Sequence, residues 1–229
     1  MKLRFSGWLG AFLVAATVLV ALLSLVWTPY DPTLAHPDVR LAGPSAEHLL
    51  GTDRFGRDTA SRIMAGAQIT VFVGLVAVGI AALVGVPLGI LAGMRRGTWV
   101  DALVMRGADL LLAFPALLLA IIAGAVWGPS TLTAMVAIGI AGIPSFARVA
   151  RSGTLQVITQ DFISSARISA VPGWKVALRH ILPNLTGLLI VQASVYFALA
   201  ILAEGAERAR DEARETLIDV RQAMGLNYR

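Results

Sequence analysis

Residues 69–94 read ITVFVGLVAVGIAALVGVPLGILAGM, and they close a run from Ile63 to Met94 that carries no charged side chain. A helix of about 20 mostly apolar residues crosses the hydrocarbon core of a bilayer, so this stretch predicts a membrane span. The same pattern recurs on both sides. Toward the N-terminus, no charge occurs between Arg4 and Asp31, and Trp8 to Trp27 holds 11 Leu, Val or Phe residues. A signal-peptide core is only about 7–15 residues long and ends at a small-x-small site. Trp27-Thr28-Pro29-Tyr30 is not such a site, so an uncleaved anchor is expected. Toward the C-terminus, Ala102 to Trp127 forms a third candidate, with Arg106 and Asp109 in its first turns. Thr131 to Ala147 is a fourth, short and interrupted by Gly139, Gly142 and Pro144, so it needs shielding by neighbours. Ile181 to Ala203 is the fifth. The expected fold is all-α, a polytopic transmembrane bundle of about five spans.

Composition agrees. Of the 229 residues, 57% are hydrophobic and 14% charged, with a mean hydropathy of +0.75. A soluble domain is roughly a quarter charged, so a soluble enzyme and a disordered chain are both excluded. With no cysteine, neither a disulfide framework nor a cysteine metal or redox site can form. The net charge of +5 fits basic cytoplasmic loops rather than nucleic-acid binding. Lys2 and Arg4, then Arg95 and Arg96, then Arg148, Arg151, Arg167, Lys175 and Arg179 fall on one side of a five-span topology with the N-terminus cytoplasmic. The segment between the first two spans balances Arg40, Arg54, Arg57 and Arg62 against Asp31, Asp38, Glu47, Asp53 and Asp58.

Several residues have chemistry suited to particular tasks. Gly85, Gly89 and Gly93 repeat every fourth position and make a small-xxx-small ridge for close helix packing. Pro87 within it should kink the helix, as packing geometry or as a hinge. Gln192 and Tyr196 share one face of the fifth span; such polar groups either glue helices together or line a path through the membrane. Arg106 and Asp109, one turn apart, can pair, or Arg106 can snorkel to the interface. Between spans four and five, residues 148–182 read as a helix continuing from span four, a break with a turn at Val171-Pro172-Gly173, and a second short helix. Trp174 and several basic residues stand on it, which suits a protein interface or a loop lying on lipid.

Catalytic patterns are missing. There is no G-x-x-x-x-G-K-[ST] loop and no H-E-x-x-H, and His36, His48 and His180 are scattered. No intramembrane acids line up as a proton relay. The chain is not expected to be an enzyme.

Three stretches resemble a known family. His48-Leu49-Leu50-Gly51-Thr52-Asp53-Arg54-Phe55-Gly56-Arg57-Asp58, followed by Ser61-Arg62, is similar to a G-T-D-x-x-G-R-D segment. Met105-Arg106, Asp109 and Leu112-Ala113-Phe114-Pro115 resemble the start of that family's third span. Asp161-Phe162 through Arg179-His180-Ile181-Leu182-Pro183-Asn184 resembles its E-A-A loop, which ends in L-P-N. The family is that of the inner-membrane permease subunits of binding-protein-dependent ABC importers, in the dipeptide/oligopeptide/nickel branch. The similarity runs over roughly residues 1 to 204.

The resemblance implies a bacterial inner-membrane protein working by alternating access, with a coupling helix in a loop at about 151–183. Ser164, Ser165, Ala166, Arg167, Ala170, Gly173 and Trp174 would meet an ATP-binding subunit. The implied partners are a second homologous permease, two ATPase subunits holding ATP and Mg, an external solute-binding protein and membrane lipid. This chain itself would hold no cofactor.

Two departures stand out. The E-A-A triplet reads Ser164-Ser165-Ala166, and the family glycine falls on Ala170, so Gly173 is expected to take over the turn. After Glu204 the family makes a sixth span, whereas 205–229 is charged, with Ala206, Ala209, Ala213, Leu217, Val220 and Met224 at the 3–4 spacing of an amphipathic helix. That end reads as truncated, as partner-binding or as a surface helix. The expected organisation is an anchor and external segment over 1–68, a permease core over 69–204 and this tail. The alternative reading is a non-transporting scaffold or a defective permease subunit.

Overall fold

The computed structural model describes the backbone of residues 5–128 and 130–223, and their side chains except at 5, 6, 116, 117, 167, 204 and 206–223. Among the described residues the regular secondary structure is all helical, and a single bridge joins Thr52 to Asp58. The chain divides into two compact units, Met1–Phe72 and Val73–Arg229.

The first unit holds α1 (Phe5–Ser24), a 3-10 turn at Pro37–Val39 and the start of α2 (Thr59–Met94). Large apolar side chains of α1, Trp8, Phe12 and Leu19 among them, are exposed. In water that surface would be costly at about 25 cal/mol per Å²; against acyl chains it costs nothing.

The second unit is organised around α5 (Thr131–Val157). Its N-terminus is capped by Ser130, whose hydroxyl accepts the Thr133 N–H at 3.1 Å. Glycines let three neighbours approach it: Gly139 lies against Ile80 of α2, Gly142 against Tyr196, and Gly153 against Leu185. The last two belong to α8 (Leu182–Ala223), a single helix of 42 residues. The main core gathers Val86, Ile90, Phe146, Ala150, Ile163, Val176, Ile181, Leu185 and Tyr196. α5 runs on through Arg148 and Arg151, beyond the apolar stretch, as the helix expected to continue from the fourth span.

Among the described residues, four helical stretches are long and apolar enough to cross a membrane: Gly7–Ser24, Thr59–Met94, Thr131–Val157 and Gly173–Ala203. The expected third span is not one helix. It is α3 (Trp99–Leu112) followed by α4 (Ala116–Trp127). Pro115 (φ −55°, ψ 135°) separates them, because it has no N–H to donate and biases Phe114 away from helical angles. α2 and α5 pass through Pro87 and Pro144 without ending.

The helix expected in the tail is a continuation of α8 rather than a separate element, at least as far as Ala223. Its apolar stripe and residues 224–229 lie outside the described residues, as does the Arg167 side chain.

Candidate functional site

The connection from α5 to α8 is built as two short helices, α6 (Asp161–Ile168) and α7 (Gly173–Val176). Ile163 and Ala166, three residues apart, share the inner face of α6 and are buried. Val176 and Ile181 anchor the second limb in the same core. The opposite faces carry Phe162, Ile168 and Trp174, of which Ile168 is 88% and Trp174 63% exposed. Lys175 Nζ sits 5.4 Å from the centre of the Trp174 ring. Ser164 and Ser165 are exposed, and the Ser165 hydroxyl turns back to donate to the Asp161 carbonyl at 3.1 Å. So the elbow has an apolar root and an outer surface of aromatic, aliphatic and basic groups.

The turn between the limbs corrects the sequence reading. Ala170 has φ +53°, in the left-handed region, whereas Gly173 is not among the residues with positive φ. The Val171 N–H donates to the Ala166 carbonyl at 3.1 Å. With Ala170 left-handed, this is the six-to-one bond of a Schellman helix end. The turn therefore stays where the resemblance puts a glycine, although an alanine occupies the place. Gly173 instead opens α7 behind Pro172, whose carbonyl accepts from Lys175 at 2.9 Å and from Val176 at 3.1 Å.

The second limb enters α8 through one widened turn, a π segment at Ala177–Ile181, where the Leu182 N–H donates to Ala177 O. Pro183 explains the widening. A proline ring inside an α-helix collides with the carbonyl four residues back, here Arg179, and leaves it without a donor; π turns are frequent at functional positions. The Asn184 side-chain amide donates to His180 O at 2.6 Å, which satisfies the neighbouring carbonyl.

Two ion pairs join α3 to α5. Arg151 grips Asp101 with both ends of its guanidinium, Nε to Oδ1 at 2.6 Å and one terminal nitrogen to Oδ2 at 2.8 Å. Asp101 is 5% exposed and also accepts the Gly97 N–H at 3.0 Å. Asp109 pairs with Arg148 of α5 at 2.5 Å and not with Arg106, one of the two arrangements the sequence allowed; Arg106 has no ion pair among the described residues. The Asp101–Arg151 pair was invisible in the sequence because its members lie 50 residues apart.

The glycine ridge lies close against α5. A Cβ on Gly85 would stand 2.6 Å from Ile143 O and 2.7 Å from Phe146 Cβ; one on Gly89 would be 2.7 Å from Ala150 Cβ, and one on Gly93 2.7 Å from Thr154 Cβ. Tyr196 is buried. Its hydroxyl donates to the Ile138 carbonyl at 2.5 Å, and its ring meets Phe146 edge-on at 5.8 Å. Gln192, one turn earlier, is half-exposed. The two polar residues of this face thus have different surroundings, and Tyr196 pins α8 to α5.

In the other unit the G-T-D-x-x-G-R-D residues form a knot. Gly51 (φ +71°) and Gly56 (φ +78°) adopt left-handed angles, and a Cβ on either would strike a backbone carbonyl, of Ala42 and His36 respectively. The Thr52 hydroxyl donates to Val39 O and accepts the Ala42 N–H. Asp53 accepts from the Phe55 and Arg57 N–H groups at 2.8 and 2.9 Å, from Arg57 Nε at 2.9 Å and from Arg62 at 2.6 Å. The Arg54 and Arg57 guanidinium groups lie 4.9 and 4.8 Å from the Phe55 ring centre.

Asp58 caps α2, accepting the Ser61 N–H and hydroxyl, both at 2.7 Å, and facing His48 Nδ1 at 3.0 Å. Burial pushes the Asp58 carboxyl up, but Ser61 and His48 together outweigh it and hold the group below its ordinary value. Ser61 Oγ also accepts the Tyr30 N–H at 3.0 Å. The sequence identified these residues as a motif without revealing their bonds.

Helices of this length and apolarity, jointed by glycines onto α5 and carrying an elbow with an apolar root, define a multi-pass membrane protein of the permease type. The chain belongs to the family described as binding-protein-dependent transport system inner membrane component, whose profile matches residues 85–206. It is 40% identical over 197 residues to the dipeptide transport system permease protein DppC of Alkalihalophilus pseudofirmus, covering 86% of this chain and 64% of that protein. It is 38% identical over 192 residues to the probable D,D-dipeptide transport system permease protein DdpC of Escherichia coli, covering 82% and 64%. Against the glutathione transport system permease protein GsiD of Shigella dysenteriae it is 40% identical over 195 residues, covering 85% and 64%. The chain therefore spans about two thirds of the length of these relatives.

Proposed function

We propose that the chain is a permease subunit of an ATP-driven importer for dipeptides, oligopeptides or similar solutes. It works by alternating access, with its N-terminus in the cytoplasm. It has no nucleotide site of its own; two separate subunits bind ATP and Mg and close around the elbow. A second homologous permease completes the pathway, and an external binding protein delivers the solute. Its similarity to dipeptide and glutathione permeases supports the solute class.

The observation that carries the mechanism is the division of α6 and α7 into a rooted face and a bare face. Ile163, Ala166, Val176 and Ile181 are embedded in the core that holds α5 and α8. Ile168 and Trp174 stay largely uncovered among the described residues. Exposed aromatic and aliphatic anchors beside basic groups have the composition of an interface core. A load on Trp174 would reach α5 and α8 directly, because close-packed interiors transmit displacement. Gln192, on the half-exposed part of α8, is the residue of this helix best suited to face the path.

The test is reconstitution of the chain with its partner subunits in liposomes, with ATP and Mg. Binding protein plus a dipeptide should raise ATP hydrolysis, and Trp174→Ala should abolish the rise while the complex stays assembled. An intact wild-type complex with no stimulated hydrolysis would overturn the proposal.

A further inference from the structure

We propose that Asp101 and Arg151 are positioning residues that make α3 travel with the elbow end of α5 as one body. The inference rests on the importer reading above. Arg151 lies in the last two turns of α5, immediately before the chain enters the elbow. Its planar fork matches the carboxylate with two parallel bonds, at 2.6 and 2.8 Å. Such a pair fixes orientation as well as distance. The carboxylate is held from a third direction by the Gly97 N–H, at a turn whose φ of +75° is available to glycine. On its other side Arg151 is fitted to α2: a Cβ on Gly93 would stand 3.1 Å from its carbonyl oxygen. The joint between α2 and α3, the first turn of α3 and the end of α5 therefore meet at one buried carboxylate. Asp109–Arg148 gives a second, exposed tie further along the same two helices.

α4 has nothing comparable. It meets α5 through Ala120, Ala123 and Ala137, a smooth contact of single methyl groups, and no hydrogen bond or ion pair joins α4 to α5 among the described residues. Displacement of the elbow end of α5 is passed to α3 through an oriented polar tie, whereas α4 follows α5 through apolar packing alone. The two halves of the expected third span are thus held to α5 in different ways.

The test uses the complete reconstituted importer. Solute taken up per ATP hydrolysed is compared in wild type, Arg151→Lys, Arg151→Leu and the exchanged pair Asp101→Arg with Arg151→Asp. Lysine keeps the charge and loses the fork. Uptake per ATP should fall at least about fivefold in both single variants, the lower end of typical coupling between sites, and the exchanged pair should recover most of it. A general loss of packing would lower assembly without a fall in this ratio among the complexes that do assemble.

Spin labels at Leu103 and Ser152 provide a readout that needs no variant of the pair. Their separation should be the same without nucleotide and in the ATP-trapped state. A changed separation, or an unchanged uptake per ATP in Arg151→Lys and Arg151→Leu, would overturn the inference. A wild-type complex without stimulated hydrolysis would sink the importer reading instead, before any variant is compared.

Discussion

Replacing Ala170 by glycine should stabilise the turn of the elbow, and the size of the gain follows from the backbone. An L-residue with a Cβ costs roughly 1–2 kcal/mol at left-handed angles, and Ala170 sits there at φ +53°. Glycine removes that cost but loses about 0.5–1 kcal/mol through greater freedom when the turn is open. The net gain is about 0.5–1 kcal/mol, which is roughly a two- to fivefold smaller open population. Hydrogen exchange of the Val171 amide, bonded to Ala166 O at 3.1 Å, reads that population directly.

Gly173→Ala is the matching control. A Cβ there meets only Met94 Cε at an ordinary 3.5 Å, so exchange should change little. If Gly173→Ala loosened the loop and Ala170→Gly left Val171 exchange unchanged or faster, the reasoning would be refuted and the turn would belong at Gly173.

Gly89→Ala should destabilise α2 against α5 by about 1–3 kcal/mol, the usual cost of overpacking, seen as a lower melting temperature in detergent; Gly66→Ala, with nothing within 4 Å, should not. Asp58→Ala should remove about 1 kcal/mol of helix-cap stability, measured as faster Ser61 amide exchange. Because the Asp58 carboxyl is held below its ordinary 3.8, its contribution is complete above that value and lost as pH falls through the lower folded one. Ser61 exchange, corrected for its intrinsic pH dependence, should therefore rise only on acidification below about pH 4. The chain has no native cysteine, so single cysteines at the exposed Leu49 and Ser152 should be labelled from opposite sides of the membrane. Labelling from one side would break the proposed topology.

The spans were legible wherever a long apolar run lacked charge, as in α1 and α2. The α3–α4 break was not, because four prolines fall in candidate helices and the sequence treats them alike. What separates them is support. Pro87 lies in the ridge packed on α5, Pro144 is buried within α5, and Pro183 follows a π turn that makes room for it. Pro115 ends α3 and serves as the N-cap of α4. The elbow was legible as two limbs and a turn, but the expectation that glycine would take the left-handed position misplaced that turn. A conformational preference worth about 1 kcal/mol yields to a helix end that Ala166 and Val171 already fix. For Asp109 the sequence offered only the arginine one turn away, whereas its partner comes from a neighbouring helix, information that sequence spacing does not contain.

The bond from the Tyr30 amide to the Ser61 hydroxyl spans 31 residues and moors the exit of α1 to the first turn of α2. Wherever that turn goes, α1 has to follow. Tilting the head of α2 means dragging an entire greasy cylinder sideways through viscous lipid, much as a hull is slowed by its outrigger. The mooring converts a helix with no charged side chain of its own into a brake on how fast the head of α2 can swing.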